Sequence, residues 1–138
     1  MRMVAALGSR VPLYASGVGK ALLAALPSDE QAPLIDIQAF TAVTRHTLTA
    51  KSALIRELAA VRKAGCAFDR EEHVIGMQCV AAPVFNEFGE VVCALSVSGP
   101  RVRVDAPTLT LHGQAVIEAA LRATELLGGL EPEYWRHG

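Results

Sequence analysis

The chain has little that would draw it to a polyanion. Its 138 residues carry 13 Lys and Arg against 14 Asp and Glu, a formal net charge of −1, and no basic run stands out. Long-range attraction to nucleic acid or to an anionic membrane is therefore not expected. No apolar run approaches the roughly 20 residues needed to span a bilayer. Near the N-terminus "MVAAL" is too short for the core of a signal peptide, and "GSR" follows it directly. These absences predict a cytoplasmic chain without membrane contact. Cys66, Cys79 and Cys93 lie 13 and 14 residues apart, and neither C-x-x-C, nor H-E-x-x-H, nor any close pair of histidines occurs. A zinc site thus has no support, and no metal or cofactor is expected. Three thiols in a reducing compartment read as free side chains buried as small hydrophobes. No internal repeat or low-complexity linker divides the chain.

Hydrophobic residues make up 51% of the chain and charged residues 20%, the balance of one folded domain with a real core. "RMVAAL" (2–7) reads as a short strand. In "ASGVGKALLAALP", Ser16 is a candidate N-cap, Leu22, Leu23 and Leu26 form a stripe, and Pro27 ends the helix. "SDEQ" (28–31) has capping-box spacing and opens a second helix toward Ile37. A third helix starts with a cap near Thr49, carries Leu54, Leu58 and Val61 on one face, and stops at Gly65. "CAFDR" (66–70) predicts a strand. Asp105 is expected to cap a long helix running to about Leu127, closed by Gly128-Gly129, and "EPEYWRHG" a loosely held tail whose Trp135 is able to dock. Helices and an antiparallel hairpin in one layer pair predict an α+β fold, not a doubly wound nucleotide fold.

The hairpin "GMQCVAAPVFNEFGEVVCALSVSGP" (76–100) places a thiol and two hydroxyls where apolar side chains would pack better. A four-residue "NEFG" loop predicts Phe85 opposite Glu90, Cys79 opposite Ser96 and Met77 opposite Ser98. Alternation then sets all four of Met77, Cys79, Ser96 and Ser98 on one face, with Ala81 and Ala94 leaving space above it. A one-residue slip would separate the serines from Cys79. A strand serine can bond a nearby carbonyl, and a buried thiol needs no partner. A polar ligand would equally satisfy the hydroxyls, which are costly to bury unpaired.

The helix start "SGVGK" adds a second candidate, because the amides of Gly17, Val18 and Gly19 would face outward at the positive end of the helix dipole. A nucleotide P-loop is excluded: Tyr14 stands where its first glycine belongs, and Ala21 follows Lys20. Glycines there could also simply ease close packing against a neighbour. Asp69, in "FDREEH", suits the common role of bonding turn amides.

Together, "PLYASGVGKALLAALP", "AFDREEHVIGMQCVAAPVFNEFGEVVCALSVSGP" and the closing helix resemble the effector-binding domain of the IclR family of bacterial transcription regulators, from about residue 2 to about residue 127. The resemblance implies a GAF/profilin-like antiparallel sheet flanked by helices, binding a small organic acid and assembling as a homo-dimer or tetramer. It also implies that the first helix and strands of the full domain, and the DNA-binding winged helix-turn-helix, lie outside these 138 residues, with residues 128–138 a tail. DNA would then be bound only through that N-terminal domain.

By the same resemblance, Gly17 and Val18 match amide donors for the acid. Asp69, Cys79, Ser96 and Ser98 match its polar side-chain contacts, ten residues separating Asp from Cys and seventeen separating Cys from the first Ser. Met3, Val11 and Met77 match apolar walls, with Val11 and Met77 standing where some members have leucine. All four polar positions are filled as in members that sense glyoxylate or pyruvate, whereas members that sense aromatic acids generally vary there. A 2-oxo acid sensor without catalytic residues is the expectation. Its rivals are a ligand-free dimerisation module and a cysteine-dependent enzyme, pairing Cys79 or Cys93 with His73 or His112. The last needs a histidine beside a thiol, which no spacing supplies.

Overall fold

Alternating side chains in a strand point to opposite faces, and here both faces of one sheet are covered. A computed structural model describes residues 12–101 and 106–136. Its elements are α1 (Gly17–Ala25), α2 (Ser28–Asp36), α3 (Lys51–Ala64), β1 (Ala67–Arg70), β2 (Met77–Phe85), β3 (Val91–Pro100) and α4 (Ala106–Leu126). The strand expected at 2–7 and the cap expected at Asp105 lie outside the described residues. The three described strands form one antiparallel sheet in the order β1-β2-β3, so the fold is α+β as the patterns predict.

On one face Ala67, Ala81 and Phe85 pack with Leu23 of α1 and with Leu54 and Leu58 of α3. On the other, Val80, Ala82 and Val84 meet Leu109, Val116 and Ala120 of α4. Small residues matter in both layers: Ala21, Ala24, Ala67 and Ala81 are fully buried, which brings α1 down onto the strands. The thiols are free, as expected, but only Cys66 is buried; Cys79 is partly covered and Cys93 is exposed. Cys93 departs from expectation because α4 lies mainly over β2 and leaves β3, the outer described strand, partly bare.

Several local features correct the sequence-based expectations. The hairpin loop has three residues, closed by Asn86 N–H donating to Glu90 O at 2.9 Å, with Gly89 at φ +71°. Phe85 therefore faces Val91, not Glu90, and a bulge beside Val84 shifts the pairing once more. The result sets Cys79 opposite Ser98, Ala81 opposite Ser96 and Met77 opposite Pro100. Two one-residue shifts restore the face, so the serines and Cys79 share a side as expected, although their partners differ.

Ser28 is the first residue of α2 rather than its cap. Pro27 occupies the cap with no side-chain bond, and Gln31 reaches instead to the carbonyl of Leu23 at 2.8 Å. Ala50, not Thr49, precedes α3, again without a side-chain cap. Gly65 ends α3 at φ +88° as its glycine signature implies. The end of the chain is held rather than loose through Arg136. Trp135 is 1% exposed and meets the Phe85 ring edge-on at 5.8 Å, while Tyr134 donates to the carbonyl of Ala25 at 2.7 Å.

The least expected feature is Lys20, which is fully buried in α1. Its ammonium lies 2.9 Å from the Glu72 carboxylate and 3.4 Å from Glu57, and it also donates to the carbonyl of Phe68. One cation therefore ties α1 to β1, to α3 and to the turn after β1. Removing one member of a buried ion pair leaves the other charge without compensation. Lys20→Met is expected to cost about 3–5 kcal/mol in urea unfolding; a loss below about 1 kcal/mol would show that the cluster does not hold α1 in place.

Candidate functional site

The start of α1 stands against the middle of the sheet, and a cavity of about 230 Å³ opens between them. Ser16 caps the helix by accepting the Gly19 amide at 3.0 Å, and its carbonyl accepts the Lys20 amide at 3.0 Å. Gly17 and Val18 supply the first two amides of the helix, which no earlier helical carbonyl can reach. The approach is close enough to require glycine: a Cβ on Gly17 would come within 2.9 Å of the Cys79 sulfur.

From the sheet, Asp69, Cys79 and Ser98 follow one another across β1, β2 and β3 by direct pairing, and Ser96 lies two residues along β3. All four line the cavity, but Ser96 and Ser98 are exposed rather than buried as expected, because β3 is the outer described strand. Asp69 Oδ1 also accepts the Glu72 amide at 2.8 Å, so the turn-bonding role and the cavity position coexist in one side chain. The third wall is the turn 71–76, which contributes His73 and Val74, with Met77 just after it. This turn is fastened from outside. Thr44 and Thr47 donate to the carbonyls of Glu71 and Glu72, both at 2.6 Å, and the Glu71 carboxylate accepts the Gly76 amide at 2.9 Å.

Burial sets the protonation chemistry. It pushes the Asp69 carboxyl above the usual carboxylate range, against the opposing pull of the Glu72 amide, of the Lys20 charge, and of the His73 side chain and amide. Burial likewise raises Glu72 despite its bond to Lys20. The Cys79 thiol is pushed up to about 11 by burial and by the Asp69 charge, which outweigh its hydrogen bond with Ser96. Such a thiol is almost wholly protonated near neutrality and is a poor nucleophile. The arrangement is suited to holding a small polar molecule between amides, hydroxyls and a carboxyl. Among the described residues, no three His, Cys, Asp or Glu side chains are grouped to hold a metal ion, and no helix is long and apolar enough to cross a membrane.

Of the residues singled out from sequence, Gly17, Val18, Asp69, Met77, Cys79, Ser96 and Ser98 meet in this cavity. Met3 and Val11 lie outside the described residues. Sequence reasoning missed Ser16, His73, Val74 and Gln78 as lining residues. The cap signal of Ser16 already placed it at the mouth, whereas the turn that brings His73 inward depends on remote threonines. His112 takes no part in lining this cavity.

A largely apolar cavity that carries a few polar groups, set between a helix start and an antiparallel sheet within an α+β fold, is suited to holding a small ligand. The model of the family described as "Bacterial transcriptional regulator IclR C-terminal" matches residues 1–124, and the chain belongs to this family. It is 41% identical over 130 residues to the transcriptional repressor IclR of Escherichia coli strain K12, covering 94% of this chain and 47% of that protein. The crystal structure of IclR from Thermotoga maritima aligns with a TM-score of 0.86 at 34% identity, over 91% of this chain and 51% of that one. The inducer-binding domain of PobR from Acinetobacter, solved as a double mutant with 3-hydroxybenzoic acid, aligns with a TM-score of 0.77 at 30% identity, over 88% of this chain and 68% of that one. This chain spans about half the length of the curated relatives it matches.

The thiols offer a direct check on the geometry. Iodoacetamide at neutral pH is expected to modify Cys93 well before Cys79, with Cys79 reacting readily only on unfolding. Fast labelling of Cys79 in the folded protein would mean an activated thiol and would reopen nucleophilic chemistry.

Proposed function

We propose that this domain senses a small organic acid, a 2-oxo acid such as glyoxylate or pyruvate, and that in the intact regulator the bound acid alters affinity for DNA. The observation that carries this reading is the meeting of two helix-start amides with Ser96, Ser98, Cys79 and Asp69 around one small cavity. The carboxylate would take hydrogen bonds from Gly17 and Val18 N–H and from the two serine hydroxyls, where the helix dipole also favours negative charge. Met77 and Val74 would shield it from water. Met3 and Val11 belong to the same proposed site by resemblance.

Size favours a small acid. Pockets for drug-sized ligands run from roughly 300 Å³ upward, and this cavity falls below that range. PobR holds an aromatic acid in a related fold, so an aromatic acid belongs in any screen as the contrasting case. A pyruvate-sized ligand has about six heavy atoms; at a best efficiency of about −1.5 kcal/mol per atom, its affinity is bounded near −9 kcal/mol. A dissociation constant between about 1 μM and about 1 mM follows.

Regulation then requires the acid to bind one quaternary arrangement better than another. A homo-dimer or tetramer is part of the same proposal, with DNA contacted through the winged helix-turn-helix expected of the intact regulator. The exposed Val92, Leu95 and Val97 along β3 support such an assembly.

Thermal shift and calorimetry with glyoxylate, pyruvate, 2-oxobutyrate, glycolate and an aromatic acid test the sensor. At least one small acid is expected to raise the melting temperature, and Ser96→Ala/Ser98→Ala to abolish the shift. A folded protein indifferent to every acid would instead fit a ligand-free assembly module. Asp69 carries a separate prediction, since an ionised carboxylate can accept from a hydroxyl or hydrated aldehyde but cannot donate to an oxo group. Asp69→Asn, which retains an acceptor for the Glu72 amide, is expected to change the ratio of affinities for oxo and hydroxy acids more than it changes stability. An equal loss for every acid would remove Asp69 from that role.

A further inference from the structure

The turn 71–76 is bonded from two directions at once. Thr44 and Thr47, neither of which lines the cavity, donate to the Glu71 and Glu72 carbonyls, both at 2.6 Å. The Glu71 carbonyl shares its peptide group with the Glu72 amide, and the Glu72 carbonyl shares its own with the His73 amide. The Glu72 amide donates to Asp69 Oδ1 at 2.8 Å, and the His73 amide also favours the Asp69 charge. Each threonine hydroxyl thus meets one end of a peptide group whose other end serves the Asp69 carboxylate. A carbonyl that accepts a hydrogen bond polarises its peptide and strengthens the bond made by the amide. Position is fixed along with polarity. Glu71 holds φ +61°, a left-handed conformation that residues with a Cβ rarely adopt and that persists only where the surroundings determine it. Thr47 is itself anchored, its hydroxyl oxygen accepting the Val43 and Thr44 amides at 3.1 and 2.9 Å, and that of Thr44 accepts the His46 amide at 3.0 Å. Segment 43–47, between α2 and α3, thus presents two oriented hydroxyls to the turn.

We propose that Thr44 and Thr47 are positioning residues for Asp69: through the peptide groups 71–72 and 72–73 they aim two amides at its carboxylate and thereby decide which oxygen of a bound acid it meets. The part that concerns the acid rests on the acid-sensing reading above; the positioning itself does not. Amides that bond a carboxylate favour its charged form. Without the hydroxyls the two peptides are free to turn, the amides lose alignment, and the charged form of Asp69 loses support. A protonated Asp69 donates to an oxo oxygen, whereas the ionised form only accepts, from a hydroxyl. The threonines accordingly favour acids with a hydroxyl or a hydrated carbonyl beside the carboxylate over the same acids in the oxo form. Among the described residues, the titratable groups that face Asp69 are Lys20 on α1, Glu72 and His73 on the turn and Cys79 on β2, while β3 presents Ser96 and Ser98. None of these is replaced by a change at Thr44 or Thr47, so a displaced Asp69 titration reports on the two peptides.

Carboxyl-carbon NMR on the full 138-residue chain, with Asp69 assigned by its loss in Asp69→Asn, reads the positioning without any ligand. The Asp69 midpoint is expected to move to higher pH in Thr44→Val/Thr47→Val, where methyl groups replace the hydroxyls, and to return in Thr44→Ser/Thr47→Ser. If the double valine variant does not fold, as judged by its melting curve, Thr44→Val alone replaces it, because Thr44 is only half-buried. An unmoved midpoint in a folded valine variant overturns the proposal, whatever acids bind. Calorimetry across pH then reads the consequence. The preference for pyruvate over lactate is expected to rise about threefold or more as Asp69 gains its proton. That change is expected at higher pH in the valine variant and to be absent in Asp69→Asn. A preference that the valines alter equally in the Asp69→Asn background overturns the route through Asp69. Binding of no acid would remove the sensor reading, and the titration alone would then uphold or overturn the positioning.

Discussion

Everything that the cavity needs follows from where α1 sits, and α1 is located by a buried cation. Lys20 has no exposed surface and meets partners on three other segments. A charge in that position is tolerable only because carboxylates and a carbonyl surround it. The same pairing fixes the height of the helix above the strands, and the buried alanines below let it descend. With α1 so placed, Gly17 comes against Cys79 and the first amides of the helix open onto the gap. The carboxyl of Glu72 joins Lys20, and the amide of the same residue joins Asp69. One residue thereby connects the ion pair to the wall of the site.

This arrangement also suggests how the proposed site for an anion could contain an acid. Asp69 sits with its oxygen on turn amides and with Lys20 nearby, while burial works against its charge. An anion entering beside it would push its proton affinity further up. Asp69 can therefore meet a ligand hydroxyl as an acceptor or adapt by holding a proton. A permanently cationic residue in its place would attract any acid of suitable size. In the proposed site the mixed polarity would instead make binding depend on the neighbour of the carboxylate.

What could be read from sequence was what depends on neighbours along the chain. Ser16 as a cap, the stripe of Leu54, Leu58 and Val61, the left-handed stop at Gly65 and the shared face of Cys79, Ser96 and Ser98 all follow from periods of two and 3.6 residues. Residues that line the cavity were legible because four of them, Met77, Cys79, Ser96 and Ser98, occupy one hairpin and two, Gly17 and Val18, occupy one helix start. Features set by remote partners were not. Lys20 looks like part of a glycine-rich loop until Glu57, Phe68 and Glu72 are brought to it from 37, 48 and 52 residues away. His73 reads as one more polar turn residue because the threonines that fasten its turn are far upstream. Trp135 could dock, but the groove that receives it is assembled from Phe85 and the helices. The exact strand pairing was missed because loop length and bulge are decided by backbone geometry that residue types alone leave open.

The hairpin carries a constraint of parity. Its turn and its bulge each displace β3 by one residue relative to β2, and only their combination returns Ser96 and Ser98 to the cavity side. Losing either alone would send both hydroxyls to the opposite face of the sheet and turn Val97 toward the cavity side. Insertions and deletions in this segment are therefore not equivalent. Changes that alter the pairing by an even number of residues preserve the chemistry of the cavity, and odd ones exchange it for an apolar lining. Length variation around residues 86–92 is thus a two-position switch for the polarity of the pocket, even where every lining residue is unchanged.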